Sequence, residues 1–441
     1  MIGKQKLEEL TKKAIAKGKN LGATQVEVVV WNGTEELTRF ANNEIHQSVS
    51  LTDSTTHVRA IIGKKIGVAR GDDLLAVVKT AVEIAKIQQL DEHFKSLPKP
   101  AKYKQFASDR VHLGAQGRAK AIARIITAGR KAKLSLSGAF SESEGEMLVA
   151  NSLGVANYHA SKSADLSVIA TGKNGSGYAG QTAKGGTEID VAQITQRVIE
   201  RATLGGAPKE IPAGEYEVIL EPPAVAELLD FFSWLGPNGR VYHEEVSFMQ
   251  GNMGKKVFDP KLTITDDPWH KDIFPIGFDL EGFPKKPLPI VSGGALKNVA
   301  YDSYHAAKYK KRNTGHGQLA PNTWGPIPTH LTIAPGDREI GESVKRVKRG
   351  ILVTRFWYTR VVNHKELMLT GMTRDGTFLI ENGKITARLL NLRYTESVLS
   401  AFKNIKGIGN KLQLEGSEGF PSLVPHLHLA KFNFTGVAKH S

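Results

Sequence analysis

Cysteine is absent from this chain of 441 residues. Disulfides, thiolate zinc sites and a cysteine nucleophile are therefore excluded together, and a reducing compartment suits such a composition. Long apolar runs are missing too. With no stretch of about 18 apolar residues, no segment is predicted to span a membrane. The amphipathic stretch Met1–Leu21 carries Lys4, Lys6, Lys12, Lys13 and Lys17 among its apolar positions, a pattern that breaks the continuous apolar core of a signal peptide. A cytoplasmic location is the expectation. Phosphate-binding spacings are lacking as well: the glycine-rich stretches at 172–186 and 251–254 fit neither the P-loop nor the dinucleotide fingerprint. Gly175-Ser176-Gly177 is a loop fragment, not a nucleophile elbow. No cofactor is expected.

What is present is a basic chain able to bury real cores. Lys and Arg number 59 against 44 Asp and Glu, a formal charge of +15, and 40% of residues are hydrophobic. Such a charge makes a polyanionic partner the first class to consider, although charge alone gives only non-specific attraction. The length predicts two or three domains. In residues 1–100 a helix precedes strand-like runs at 24–31, 35–41, 45–50 and 56–62, split by Asn32-Gly33 and Asn42-Asn43, and Asp72 opens a second helix. Leu97-Pro98-Lys99-Pro100 is predicted as a linker. In 101–207 a helix at 118–132 leads to strands at 133–143, 146–151 and 163–171, then a helix at 190–204. Gly205-Gly206-Ala207-Pro208 marks the clearest boundary. From 208 to 441 short strands dominate, around a helix that starts at Pro222-Pro223 and stops at Gly236-Pro237. The fold class is α+β: antiparallel sheets packed with helices, ending in a strand-rich domain.

Few motifs carry chemistry. His243-Glu244 suggests a zinc helix, but the second histidine such a helix needs would stand at 247 or 248, which are Ser247 and Phe248. His426 and His428 would share one face of a strand and could ligate a metal, yet no carboxylate lies near them in sequence. Lys308, Lys310, Lys311 and Arg312 form a basic cluster interleaved with Tyr304 and Tyr309, and Lys345–Arg349 is a second basic run. Basic residues with aromatics between them suit nucleic acid; a solvated helix end explains them equally.

The order of several short segments resembles the TldD/PmbA family of DNA gyrase modulators and metallopeptidase-like proteins. These are residues 38–47 (TRFANNEIHQ), 150–154 (ANSLG), 278–282 (FDLEG), Ser303–Lys308 leading to Thr314-Gly315-His316-Gly317, and 379–384 (LIENGK). The resemblance covers nearly the full chain. In that family the TldD-type subunit carries a His-Glu-x-x-x-His zinc helix and a late cysteine ligand. Here Asp230 and Leu235 stand at the histidine positions and Phe231 at the glutamate position. The resemblance therefore implies the PmbA (TldE) type: a non-catalytic, peptide-binding subunit of a peptide-processing assembly, as a homodimer or a heterodimer with a TldD-type subunit. Val225, Leu228, Leu229, Phe232 and Leu235 independently form an apolar stripe on this helix, built for packing. Neither metal nor catalytic residue is expected. Thr314, Gly315, His316 and Gly317 are the candidate peptide-binding loop, because glycine lets backbone amides approach an extended chain. The neighbouring Lys310, Lys311 and Arg312 would favour an acidic segment. Two alternatives stand beside this reading: a metallopeptidase with a metal site rebuilt from His243, Glu244, His316, His426 or His428, and a basic DNA-associated, gyrase-modulating protein, for which non-specific nucleic acid would be the partner.

Overall fold

Alternating apolar residues from Gln25 onward create one uninterrupted strand where the sequence suggests two. In the computed structural model, which describes residues 1–107, 110–416 and 420–438, strand β1 runs Gln25–Ala41, β2 Glu44–Ile62 and β3 Lys65–Gly71. Asn42 and Asn43 form the two-residue turn between β1 and β2, both at positive φ (51° and 63°), as a primed hairpin turn demands. The predicted turn at Asn32-Gly33 does not form. Gly33 lies opposite Asp53 on one side and Gly145 on the other. A Cβ on Gly33 would come within 2.9 Å of the Glu144 carbonyl oxygen, so this glycine serves close strand approach and not chain reversal. Likewise, the two strands expected at 133–143 and 146–151 are one, β4 (Ser135–Asn151), followed by β5 (Ala156–Gly172) and β6 (Gly175–Ala183).

Helix α1 (Lys4–Asn20) precedes β1–β3 and α2 (Leu74–Ile87) follows them; α3 (Gly114–Lys131) and α4 (Val191–Thr203) bracket β4–β6 in the same way. The sheet order β3-β2-β1-β4-β5-β6 joins these two α-β-β-β-α halves through the antiparallel β1–β4 pair. Residues 1–100 and 101–207 thus share one sheet. Even-numbered β1 side chains meet the helices: Val26, Val28 and Val30 pack on α1 and α2, and Phe40 on α3 and α4. The 97–100 stretch is not a free linker. Leu97 packs on Ile61 and Phe94, and the Pro98 carbonyl accepts from Asn151 Nδ2 at 2.8 Å. The odd-numbered face of β1 carries Val29 and Trp31, which pack with Met147, Val149 and Phe278. That contact joins the sheet to the rest of the chain.

In the C-terminal region, β7 (Gly214–Leu220) pairs in parallel with strand Arg349–Asn363 and antiparallel with Leu427–Val437. Strand Leu392–Ser397 links Leu427–Val437 to Met368–Glu381, which returns to Arg349–Asn363. Five strands close into a barrel, and closure removes edges. Phe432 and Phe434 are buried inside it with Phe356 and Tyr394. Helix α5 (Pro222–Leu235) lies between this barrel and a second six-stranded sheet that contains Ile264–Asp266 and Leu331–Ile333. All five residues of the predicted apolar stripe are buried in that core. Losing one such ring, as in Phe232→Ala, removes about 3–5 kcal/mol in a site that cannot collapse.

Candidate functional site

The joint between the N-terminal sheet and the C-terminal region is organised by one five-residue turn. Asp279, in the 278–282 segment, accepts from the backbone amides of Glu281 (3.0 Å) and Phe283 (2.8 Å) through Oδ1, and from that of Gly317 (2.7 Å) through Oδ2. An Asx-type turn needs such a side chain. Glu281 extends the other way. Its Oε1 accepts from both terminal nitrogens of Arg59 at 3.2 Å, and its Oε2 from the Ser303 amide at 3.0 Å. Arg59, on β2, also donates to Glu27 of β1 at 2.7 Å. Burial, and then the charge of Glu281 against the pull of Arg59, pushes the Glu27 carboxyl up to about 7. Burial and Glu281 push Asp279 up to about 8. Five segments distant in sequence are thereby tied together with one arginine between two acids.

Behind the turn lies a second buried network. Asp266 is fully buried; Oδ1 accepts from the His330 amide at 2.7 Å, Oδ2 accepts from His316 Nε2 at 3.0 Å, and Lys285 Nζ stands 3.6 Å from Oδ2. Burial alone would raise this carboxyl. Lys285 and the His316 hydrogen bond outweigh burial and hold it well below the usual carboxylate range. An ionised Asp266 fixes the proton of His316 on Nε2, leaving Nδ1 to accept from the Thr314 hydroxyl at 2.8 Å. Burial and Lys285 keep that imidazole neutral by lowering its pKa.

This is where the candidate peptide loop sits. His316 is completely buried with both ring nitrogens engaged. The Gly315 amide donates to Asn313 Oδ1 and the Gly317 amide to Asp279. A Cβ on Gly317 would stand 2.6 Å from Glu281 Cγ. His316 and Gly317 help wall an inner cavity of about 350 Å³, together with Lys285, Trp31, Met147 and Phe278. Leu280, Gln318, Thr329 and Phe420 line this space and also an outer cavity of about 680 Å³, so the two adjoin. The outer cavity reaches α5 at Asp230, Ser233 and Trp234 and is otherwise mostly apolar, with Leu319, Pro321, Trp324, Ile327 and Leu331.

The other residues singled out in the sequence disperse. His243 donates to or accepts from the Tyr301 hydroxyl at 3.0 Å and stacks on Tyr309 at 3.9 Å; Glu244 pairs with Arg240. His426 Nε2 meets Ser343 Oγ at 2.9 Å. His428 has the carboxylate that its sequence neighbours lack, Glu217 at 2.7 Å, supplied by the adjacent strand β7. Among the described residues, no three His, Asp or Glu side chains gather to hold a metal. In the basic cluster, Tyr309 is stacked on His243 and Tyr304 turns its hydroxyl to Asp91. Neither tyrosine is a free platform for a base. Asp266, Lys285, His330 and Trp324 escaped sequence reading because no spacing connects them.

Comparison with known proteins fits this architecture throughout. The PmbA/TldA metallopeptidase C-terminal domain matches residues 213–436, the central domain of the same family 108–205 and its domain 1 residues 26–85. The chain belongs to the PmbA/TldD family. Its fold resembles that of TldE from Thermococcus kodakarensis, with a TM-score of 0.89 and 21% identity over 97% of this chain and 100% of that one. A metalloprotease of Methanothermobacter thermautotrophicus is 22% identical over 283 residues, 63% of this chain and 61% of that protein. The metalloprotease PmbA of Escherichia coli is 23% identical over 243 residues, 54% of this chain and 50% of PmbA. The chain thus spans about half to three-fifths of the length of these two metalloproteases.

The family's metallopeptidase name can be tested against α5. Of the three positions at issue, only Asp230 faces open space. Phe231 packs against the core and Leu235 is buried in it. One oxygen donor and two hydrocarbon side chains do not make a zinc site. The residues present do not fit the metal.

Proposed function

We propose that this chain is a non-catalytic, peptide-holding subunit of a PmbA/TldD-type peptide-processing assembly. The observation that carries the reading is the division of labour on α5. The helix spends the glutamate position and the second histidine position of the motif, Phe231 and Leu235, on packing, while its other face borders an open apolar cavity that adjoins the one behind Gly317. Such a helix retains the shape of a substrate cleft without the means to activate water. In this reading the Thr314–Gly317 loop shapes the inner wall through Asp266 and Asp279, and Gln318 presents the first side chain toward an extended peptide. The assembly is a homodimer, or a heterodimer whose TldD-type subunit supplies the catalytic metal. Trp324, Tyr358, Val362 and Phe420 leave half or more of their surface exposed where such a partner would sit.

The test uses purified full-length chain. Binding of an unstructured hexapeptide without hydrolysis in the presence of added zinc is the expected result, and zinc-stimulated cleavage by this chain alone would refute the reading. Sedimentation at micromolar concentration is expected to give a dimer, and a stable monomer would remove the assembly part.

A further inference from the structure

The outer cavity contains a charge that nothing around it balances. Glu227, one turn earlier on α5, has its partner: it bonds Thr359 and feels the Arg355 guanidinium. Asp230 instead opens into the cavity, with no hydrogen bond or cation beside it among the described residues. The walls next to it are aromatic. Trp234 and Trp324 stand edge to face with ring centroids 5.8 Å apart, and Trp324 is 64% exposed.

Three kinds of ligand group could enter this space, and electrostatics separates them. A wholly apolar group would suit the indoles but strip water from a carboxylate that gains no partner, which is costly. An anionic group would meet Asp230 as a like charge. An ammonium group would satisfy both features, since indole faces attract cations through their quadrupole and the carboxylate supplies a charge-assisted hydrogen bond. The overall charge of +15 repels cations at long range, so any preference for one has to arise locally.

We propose that the outer cavity binds an ammonium group of an extended peptide, a lysine side chain or a free amino terminus, between the Asp230 carboxylate and the rings of Trp234 and Trp324. This rests on the peptide-holding reading and names what the cavity selects within a peptide. It places the ammonium group of the substrate on this subunit, on the helix where relatives with the zinc motif would carry their ligands.

The experiment measures calorimetric affinity of the full chain for three amidated hexapeptides. The first is N-acetylated with a single lysine, the second has norleucine in place of that lysine, and the third keeps norleucine with a free amino terminus. The lysine peptide, the free-terminus peptide or both are expected to bind about tenfold more tightly than the acetylated norleucine peptide. Which of the two gains identifies the source of the ammonium. The gain is expected to vanish in Asp230→Asn and to shrink in Trp324→Leu, with melting temperatures unchanged. Equal affinity for all three peptides, or a gain that survives Asp230→Asn, overturns the proposal while leaving peptide holding intact. Binding of none of them overturns the peptide reading itself.

Discussion

The two adjoining cavities treat charge in opposite ways. Around the inner one, the carboxylates are answered: Asp266 by Lys285 and His316, Glu281 by Arg59, Asp279 by three backbone amides. Around the outer one, Asp230 is left open between aromatic walls. A satisfied buried network specifies shape and resists change, because removing any member strands the others in low dielectric. An unpaired charge at a cavity surface contributes little to the fold and is free to meet a ligand. The contrast separates the part of the site that holds the molecule together from the part that recognises something else.

The strongest way to break the comparison is to attack the inner network. Asp266→Ala removes the one carboxylate that pairs within 4 Å of Lys285 among the described residues, and leaves the His330 amide without its acceptor. Loss of about 3–5 kcal/mol of stability is expected, read as a fall in the denaturant midpoint with the slope unchanged. A variant as stable as the parent would mean that the network is not the anchor described here.

Next in size is a pair of substitutions, one on each side of the shared wall. Gly317→Val drives a side chain into Glu281 and Asp279 and is expected to cost about 1–3 kcal/mol. Trp324→Ala removes a ring already exposed, and is expected to change stability by no more than about 0.5 kcal/mol while weakening peptide binding. Equal destabilisation by the two, or a Trp324→Ala variant with full affinity, would erase the distinction between wall and recognition surface.

Much of the architecture was legible in the sequence, and the failures have physical causes. The stripe on α5, its proline start and glycine end, and the Asn42-Asn43 hairpin all follow from local chemistry. Asn32-Gly33 misled because a turn dipeptide and a glycine needed for close strand contact look identical until the neighbouring strand is known. The barrel could not be read at all, since its closure depends on pairing Gly214–Leu220 with strands that begin more than a hundred residues later. The site was half visible. The 278–282 and 314–317 segments stood out, but the Asp279 to Gly317 bond that couples them, and Asp266 and Lys285 behind them, join positions whose only relation is spatial. Asp230 drew notice as a missing histidine, and its cavity and indole neighbours came only from the fold.

The smallest expected effect bears most directly on the outer cavity. Protein surrounding Asp230 excludes much of its water, and Glu227 adds a like charge; together they push the Asp230 carboxyl up to about 7. An unfolded aspartate titrates near 4. Between those limits the folded chain holds a proton that the unfolded chain has released, so this group lowers stability as pH rises from about 4 through 7. The side chain keeps substantial contact with solvent through the cavity, which screens the penalty to a few tenths of a kcal/mol. Asp230→Asn cannot titrate, and the stability of the variant relative to the parent is therefore expected to rise by that amount between pH 5 and 8. Arg355 on the barrel strand, Glu227 on the same helix and His364 against Trp234 are present in both proteins, so the difference isolates Asp230. Affinity for the lysine peptide is expected to move the other way in the parent, strengthening as the carboxylate ionises, and to stay flat in the variant. Parallel profiles for the two proteins would show that Asp230 titrates in the folded chain as it does in the unfolded one, so that neither burial nor Glu227 raises its carboxyl in the outer cavity.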